Sequence, residues 1–215
     1  MEKKQCSICK TMMHEFIPAG DEQHYYACPA CEWIVLDEAH IIPHEQQQER
    51  YALHENTCDN EGYVAMFERF MTACVDPYRN TIHTILDFGC GPGPVLATLL
   101  KQRGFQVDMY DIFFKPDESY RKKKYDLITM TEVLEHIKDP LSIMRDLTRY
   151  LSKKGKIALM TLFHEADEAR FAQWWYRRED THISFYTTKT LHVLAQALNM
   201  RVLFSDEKQL SVLGA

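Results

Sequence analysis

The stretch LDFGCGPGPV, residues 86–95, constrains the fold of this 215-residue chain more than any other. It sets Gly89, Gly91 and Gly93 between the apolar run TILDF and the helix-like run PVLATLLKQRG. A strand–turn–helix junction of this composition lets the backbone approach a ligand and leaves the first N–H groups of the helix unpaired. The same alternation continues to the end of the chain. FQVDMYD and YDLITM read as strands, and DPLSIMRDLTRYLSKKG as a helix capped by Asp139 and closed at Gly155. KIALMT reads as a strand and TKTLHVLAQALN as a helix. MRVLFS and QLSVLG, joined by a tight SDEK link, predict an antiparallel hairpin. Units in this order build an α/β domain: a mostly parallel sheet with helices on both faces.

Spacing narrows what the glycine turn holds. A phosphate-cradling loop needs GxxxxGK followed by Ser or Thr, and no such lysine is present. A dinucleotide turn needs GxGxxG, but Pro94 stands three residues after Gly91 and cannot give the close helix–strand contact. What remains is GxGxG, with Asp87 two residues before its first glycine. Asp111 ends the next strand, eighteen residues past Gly93. A carboxylate there can accept two hydrogen bonds from a ribose diol. The ligand carries a ribose and need not carry a pyrophosphate.

LDFGCGPG, the acidic strand end YDIFF, and YDLITMTEVLEHIKDP followed by LSKKGKIALMT resemble the class I S-adenosylmethionine-dependent methyltransferases. The resemblance covers about residues 80 to 215 and implies their Rossmann-like sheet with its C-terminal antiparallel hairpin. It implies that Gly89, Cys90, Gly91 and Gly93 border the methionine part of the cofactor, with Asp87 near its amino group. Asp111 would hold the ribose, Ile112 and Phe113 would border the adenine, and Thr131 and Glu132 would flank the methionine end. One departure stands out. Only IFFKPDESYRKKK lies between the ribose acid and YDLITM, too short for the helix and strand usual there, so the sheet is expected to be trimmed at that edge. The basic run at Arg121, Lys122, Lys123 and Lys124 reads as a solvated turn, with phosphate binding as the alternative.

The first forty residues differ in chemistry. CSIC places Cys6 and Cys9, CPAC places Cys28 and Cys31, and eighteen residues separate the pairs. Four thiolates so spaced suit a structural Zn²⁺ with a closed coordination sphere. HYYA and EWIVL read as short strands beside them, which together make a zinc ribbon. The resulting division is a zinc-ribbon-like module over 1–42, a helical connector or lid over 43–80, and the methyltransferase domain over 81–215. Cys58, Cys74 and Cys90 lack ligand spacing and read as ordinary buried or partly buried thiols. Bacterial methyltransferases with an N-terminal ribbon are the more particular resemblance, through YALHEN and WWYRREDTHISFYT.

Three histidines are candidates on the substrate side. His182 sits in the insertion expected to pass over the carboxyl ends of the strands, where such sheets bind ligands. His136 follows Glu132 and Glu135 at helical spacing, and His54 lies in the connector. Each could serve as a base for a protonated acceptor. His164 is a further possible contact. Trp174, Trp175, Tyr176, Phe185 and Tyr186 could wall a flat substrate or fill core, and Arg177 and Arg178 could bind an anion or face solvent.

Charge and composition separate the function classes. The net charge of −6, with four Lys or Arg against nine Asp or Glu in residues 1–50, disfavours nucleic acid as partner. Neither a secretory signal nor a membrane-spanning run is seen, which points to the cytoplasm. The expected activity is methylation of a small molecule, at oxygen by preference. An rRNA or tRNA methyltransferase docking through its zinc module is one alternative, and a non-catalytic cofactor-binding module is another.

Overall fold

The computed structural model describes residues 4–18, 20–53 and 57–215. The glycine turn follows β4 (Thr84–Phe88) and precedes α3 (Val95–Gln102). Around β4 stand β5 (Gln106–Tyr110), β6 (Tyr125–Thr131), β7 (Leu151–Met160), β9 (Arg201–Ser205) and β10 (Leu210–Gly214). Their order across the sheet is β5-β4-β6-β7-β10-β9. The first four are mutually parallel, and β10 runs antiparallel to both β7 and β9. The predicted hairpin is therefore present.

Period-two alternation sends successive strand residues to opposite faces. Ile85, Leu127, Ala158 and Met160 pack against α3 and α2 (Glu61–Cys74) through Leu96, Leu100, Phe67 and Phe70. Leu86, Ile128, Ile157 and Leu159 pack against α4 (Pro140–Thr148) and α6 (Thr188–Ala197) through Leu141, Met144, Leu191 and Leu194. Both helical caps are side-chain caps: Asp139 accepts from the Ser142 N–H, and Thr187 with Thr190 forms a capping box.

The trimmed edge is present. β5 is the edge strand, and the link after it holds a 3₁₀ turn at Glu118–Lys122 and no further strand among the described residues. Buried Tyr120 fills that corner against Tyr110 and Phe88. The basic run is tied down at the surface by Arg121–Asp146 at 2.8 Å and Lys123–Asp108 at 2.7 Å.

One predicted boundary is corrected. Helix α4 ends at Thr148, and LSKKG belongs to β7. Leu151 pairs with Tyr125 and Lys156 with Leu127, so the ladder bulges between them. Gly155 sits in that bulge, where a Cβ would meet the Tyr125 carbonyl oxygen at 2.9 Å. Sheet pairing overrides the helix propensity of Leu and Lys there.

The N-terminal strands β1 (His14–Phe16), β2 (Tyr25–Ala27) and β3 (Ile34–Leu36) form an antiparallel sheet whose fourth strand is β8 (Ser184–Phe185), from the far end of the chain. Ile34 faces Phe185 in the ladder, and the Trp33 indole N–H donates to Ser184 Oγ at 2.9 Å. His164 reaches the Glu32 carbonyl at 2.9 Å, and Thr190 Oγ1 donates to the Cys31 carbonyl at 2.8 Å. Arg177, 6% exposed, binds Asp21 at 2.5 Å and the Ala172 carbonyl. These contacts take His164 and Arg177 out of substrate binding. No helix among the described residues is long and apolar enough to cross a membrane.

Candidate active site

At the carboxyl ends of β4, β5 and β6 the sheet opens into a cavity of about 580 Å³. Its floor is the glycine turn. Gly89 has φ +79°, and a Cβ on it would lie 2.4 Å from Val133 Cγ2, so the turn closes this tightly only without a side chain. The Gly91 N–H donates to Asp111 Oδ2 at 3.0 Å, while Asp111 Oδ1 accepts from the Phe113 and Phe114 N–H groups at 2.9 and 3.0 Å. Asp111 thus pins the turn to the end of β5 and keeps a lone pair on Oδ2 for a further donor. Pro94 starts α3 with no side-chain cap, and the first helical N–H, that of Val95, turns back to the Gly93 carbonyl at 2.8 Å.

Asp87 lies beneath the turn, 2% exposed, with the Thr129 hydroxyl donating to it at 2.9 Å. Burial pushes its carboxyl up to about 6, against the pull of that hydroxyl and reinforced by the charge of Asp111. Cys90 also lines the cavity, and burial pushes its thiol up to about 12, which leaves it inert as a nucleophile.

The opposite wall belongs to the turn after β6. Glu132 leaves the strand at φ +54°, a left-handed conformation that costs a non-glycine residue of order 1 kcal/mol and turns the chain into the cavity rim. A 3₁₀ turn at Leu134–His136 follows. Glu135 is fully buried and accepts from the Tyr176 hydroxyl at 2.5 Å; the same hydroxyl lies 3.3 Å from Glu132. Burial and the neighbouring Glu135 charge hold Glu132 well above the usual carboxylate range. His136 Nδ1 meets the Thr181 carbonyl at 2.8 Å, and His182 Nδ1 meets the Tyr176 carbonyl at 2.7 Å. A carbonyl only accepts, so both rings carry a proton on Nδ1. Their centroids are 4.9 Å apart, and burial lowers the His182 pKa.

All of Asp87, Gly89, Cys90, Gly91, Gly93, Asp111, Ile112, Phe113, Thr131 and Glu132 line this one cavity, together with His136 and His182. His54 lies outside the described residues. The insertion's aromatics divide: Tyr176, Phe185 and Tyr186 are buried, while Trp175 is 65% exposed. The sequence did not single out two cavity residues of α1 (His44–Ala52), from which His44 stacks near Phe113 at 4.4 Å and Tyr51 packs on Phe113 and His136 at 5.6 and 5.1 Å. It also missed the Glu132–Glu135–Tyr176 cluster, whose tyrosine lies more than forty positions from the two acids. YALHEN contains Tyr51, but nothing in that string marks it as a cavity residue.

At the other end of the molecule, Cys6, Cys9, Cys28 and Cys31 place their sulfurs within 4.8 Å of one another. The two knuckles repeat each other. Lys10 N–H donates to the Cys6 carbonyl at 3.0 Å and Glu32 N–H to the Cys28 carbonyl at 2.9 Å, with φ near +64° and +65° at those residues. Cys6 and Cys31 sulfurs are 3.7 Å apart, and Cys9 and Cys28 sulfurs 3.4 Å. A tetrahedral ion with bonds of about 2.3 Å sets its sulfurs about 3.8 Å apart, so the donor set fits.

Sheet order, terminal hairpin and glycine turn define an open α/β protein whose cavity lies at the carboxyl ends of the strands, where such sheets bind ligands. Residues 59–203 match the family described as methyltransferase domain, and the chain belongs to that family. The ubiquinone biosynthesis O-methyltransferase of Histophilus somni is 30% identical over 88 residues, 39% of this chain and 37% of that protein. The enzyme of the same description from Yersinia enterocolitica is 28% identical over 102 residues, 36% of this chain and 42% of that one. The chain thus spans about two fifths of the curated relatives it matches. Among solved structures, the mitomycin 7-O-methyltransferase superposes with a TM-score of 0.55 at 10% identity, over 70% of this chain and 53% of that one. A methyltransferase in calicheamicin biosynthesis, in its SAH-bound form, gives 0.50 at 17%, with the same coverages. At such identities the likeness shows the fold.

Proposed function

We propose that the protein transfers a methyl group from S-adenosylmethionine to an oxygen of a small molecule. The observation that carries this is the single cavity in which the glycine turn, Asp87 and Asp111 face His136 and His182. Asp87 is the test of fit: a buried carboxylate with one hydroxyl donor, which an amino group would complete. When bound, S-adenosylmethionine supplies an electrophilic methyl on a sulfonium. Asp111 would take a ribose hydroxyl on its remaining lone pair while its other contacts keep the turn closed. Phe113 would flank the adenine, and Thr131 and Glu132 the methionine end. The roof of α1 and α2, through Tyr51 and Tyr63, would exclude water and orient the acceptor. His182 Nε2, kept neutral by burial, would hold the acceptor's hydroxyl proton, with His136 beside it.

The three parts of the chain take separate roles. Residues 1–42 form a structural zinc module, 43–80 a connector that roofs the cavity, and 81–215 the catalytic domain. Zinc at the four cysteines would fix the ribbon and, through β8, the loop that carries His182. The seven thiols suit the reducing cytoplasm, and all seven are free of disulfides. The acidic ribbon favours a small-molecule acceptor over nucleic acid. The test is incubation with methyl-labelled S-adenosylmethionine and a panel of hydroxylated aromatic and aliphatic acceptors, with tRNA and rRNA as controls. Label in an O-methyl product supports the proposal; label in RNA alone, or in no acceptor despite cofactor binding, overturns it.

A further inference from the structure

Past Asp111 the cavity wall does not come from the sheet. Ile112, Phe113 and Phe114 follow the acid into the lining, and between Phe114 and Thr131 no described residue reaches it. The shortened link instead buries Tyr120 against Tyr110 and Phe88. Facing the end of β5 is α1, which gives His44, Gln47 and Tyr51 to the lining. The His44 ring lies 4.4 Å from Phe113, and Phe113 is tied to Asp111 by its own N–H at 2.9 Å. The first turn of α1 therefore stands beside the residues that follow the acid assigned to the ribose. These helix residues precede 59–203, the part of the chain that matches the methyltransferase family.

No core of its own holds α1 there. None of its nine residues is fully buried, and an isolated helix of that length is marginal in water. Its ties are polar: Gln47 Nε2 donates to the Ile42 carbonyl at 2.9 Å, and Arg50 reaches Glu179 and Asp180, both at 3.2 Å. The surface beside it is also uncovered, since Ile112 on the cavity wall is 58% exposed. A flat ring set against Ile112 and Phe113 would give both surfaces something to pack on. The Ile42 bond also fixes the Gln47 amide. A carbonyl only accepts, so Nε2 faces Ile42, Oε1 keeps both lone pairs, and one Nε2 proton remains. An amide with one acceptor and one donor side by side matches the edge of adenine, its amino group and the neighbouring ring nitrogen.

We propose that α1 completes the cofactor site: Gln47 reads the adenine edge of S-adenosylmethionine, and His44 with Phe113 forms one aromatic wall against its ring. This rests on the methyl-transfer function proposed above and adds to it a helix outside the matched domain. Oε1 of Gln47 accepts from the adenine amino group, and the remaining Nε2 proton goes to a ring nitrogen. Replacing that amino group by a carbonyl oxygen sets acceptor against acceptor, and the Ile42 bond keeps the amide from turning over to suit it. Farther along the same helix, Tyr51 lies 5.1 Å from His136. The base at one end of α1 would thus order the roof over the acceptor at the other.

The test uses the full chain. Calorimetry compares S-adenosylhomocysteine with its deaminated analogue, S-inosylhomocysteine, on wild type, Gln47→Ala and His44→Ala. Amide exchange over residues 44–52 is followed with and without the adenine ligand. The wild type should prefer the adenine ligand by about tenfold or more, as a bidentate base contact supplies. Gln47→Ala should erase that preference, His44→Ala should weaken both ligands alike, and the adenine ligand should slow exchange along α1. A Gln47→Ala protein that keeps the preference, even with both ligands weakened, shows a merely structural tie and overturns the proposal. Exchange along α1 that the ligand leaves unchanged overturns it too. Either result leaves the cofactor in its cavity. No binding of the adenine ligand by the folded wild type instead overturns the methyl-transfer function, and the role of α1 with it.

Discussion

Asp87→Asn should make the protein less sensitive to rising pH. In the folded chain burial raises the Asp87 carboxyl to about 6, from a model-compound value of 3.8. Between those two values the folded state holds a proton that the unfolded state has released, so stability falls as pH rises through this window. The full penalty is about 3 kcal/mol at pH 7.5 and about 1 kcal/mol at pH 4.5, at about 1.4 kcal/mol per pK unit. Asparagine has no charge to bury, although its amide N–H groups carry their own pH-independent cost. That cost cancels when the difference between variant and wild type is compared at the two pH values. The expected double difference is about 2 kcal/mol in favour of the variant at pH 7.5, a melting shift of roughly 4 to 8 °C. Thermal unfolding of both proteins at pH 4.5 and 7.5 measures it. A difference that does not change with pH, or one of opposite sign, refutes the claim that Asp87 is a destabilising buried acid retained for a ligand. The same variant should bind S-adenosylmethionine more weakly, since the charge meant for the amino group is gone.

Other parts of the molecule give independent expectations. Burial lowers the His164 pKa to about 4, so the folded state resists protonation and stability present above about 6.5 drains away as pH falls toward 4. His164→Gln should remove about 2 to 3 kcal/mol of that acid-side loss, measured as the change in the wild-type-to-variant melting difference between pH 7.5 and 4.5. With zinc held at the four cysteines as proposed, its chelation should speed amide exchange at Ser184 and Phe185, because β8 is the fourth strand of the N-terminal sheet; unchanged exchange would show that sheet and the His182 loop to be uncoupled. Gly89→Ala, at φ +79° with Val133 Cγ2 2.4 Å from the new Cβ, should cost about 1 to 3 kcal/mol, and Val133→Ala should recover part of it in the double variant.

The sheet was legible because each of its strands is an apolar run bounded by polar or glycine punctuation, and β4 through α3 is fixed by the glycine turn itself. The false extension of α4 through LSKKG shows the limit: leucine and lysine favour a helix locally, and only pairing with β6 makes Leu151–Met160 a strand. Cys6, Cys9, Cys28 and Cys31 were legible from spacing alone, since each knuckle is a local turn. The fourth strand of the ribbon was not, because Ser184 and Phe185 owe their extended state to Ile34 and Val35, about 150 positions away. Arg177 looked like an exposed cation for the same reason: its partner Asp21 lies 156 residues earlier. At the cavity, Asp111 could be placed at a strand end, but its three backbone N–H contacts depend on turns that no pattern in the sequence specifies.

The measurement that bears most directly on the account is calorimetric titration of the full chain with S-adenosylhomocysteine, repeated on Asp111→Ala. Asp111 fastens the glycine turn and carries the lone pair assigned to the ribose. One site per chain in the wild type, weakened at least tenfold in the variant, is the predicted result. An absence of binding by the folded wild-type protein, or equal binding by both, would contradict it.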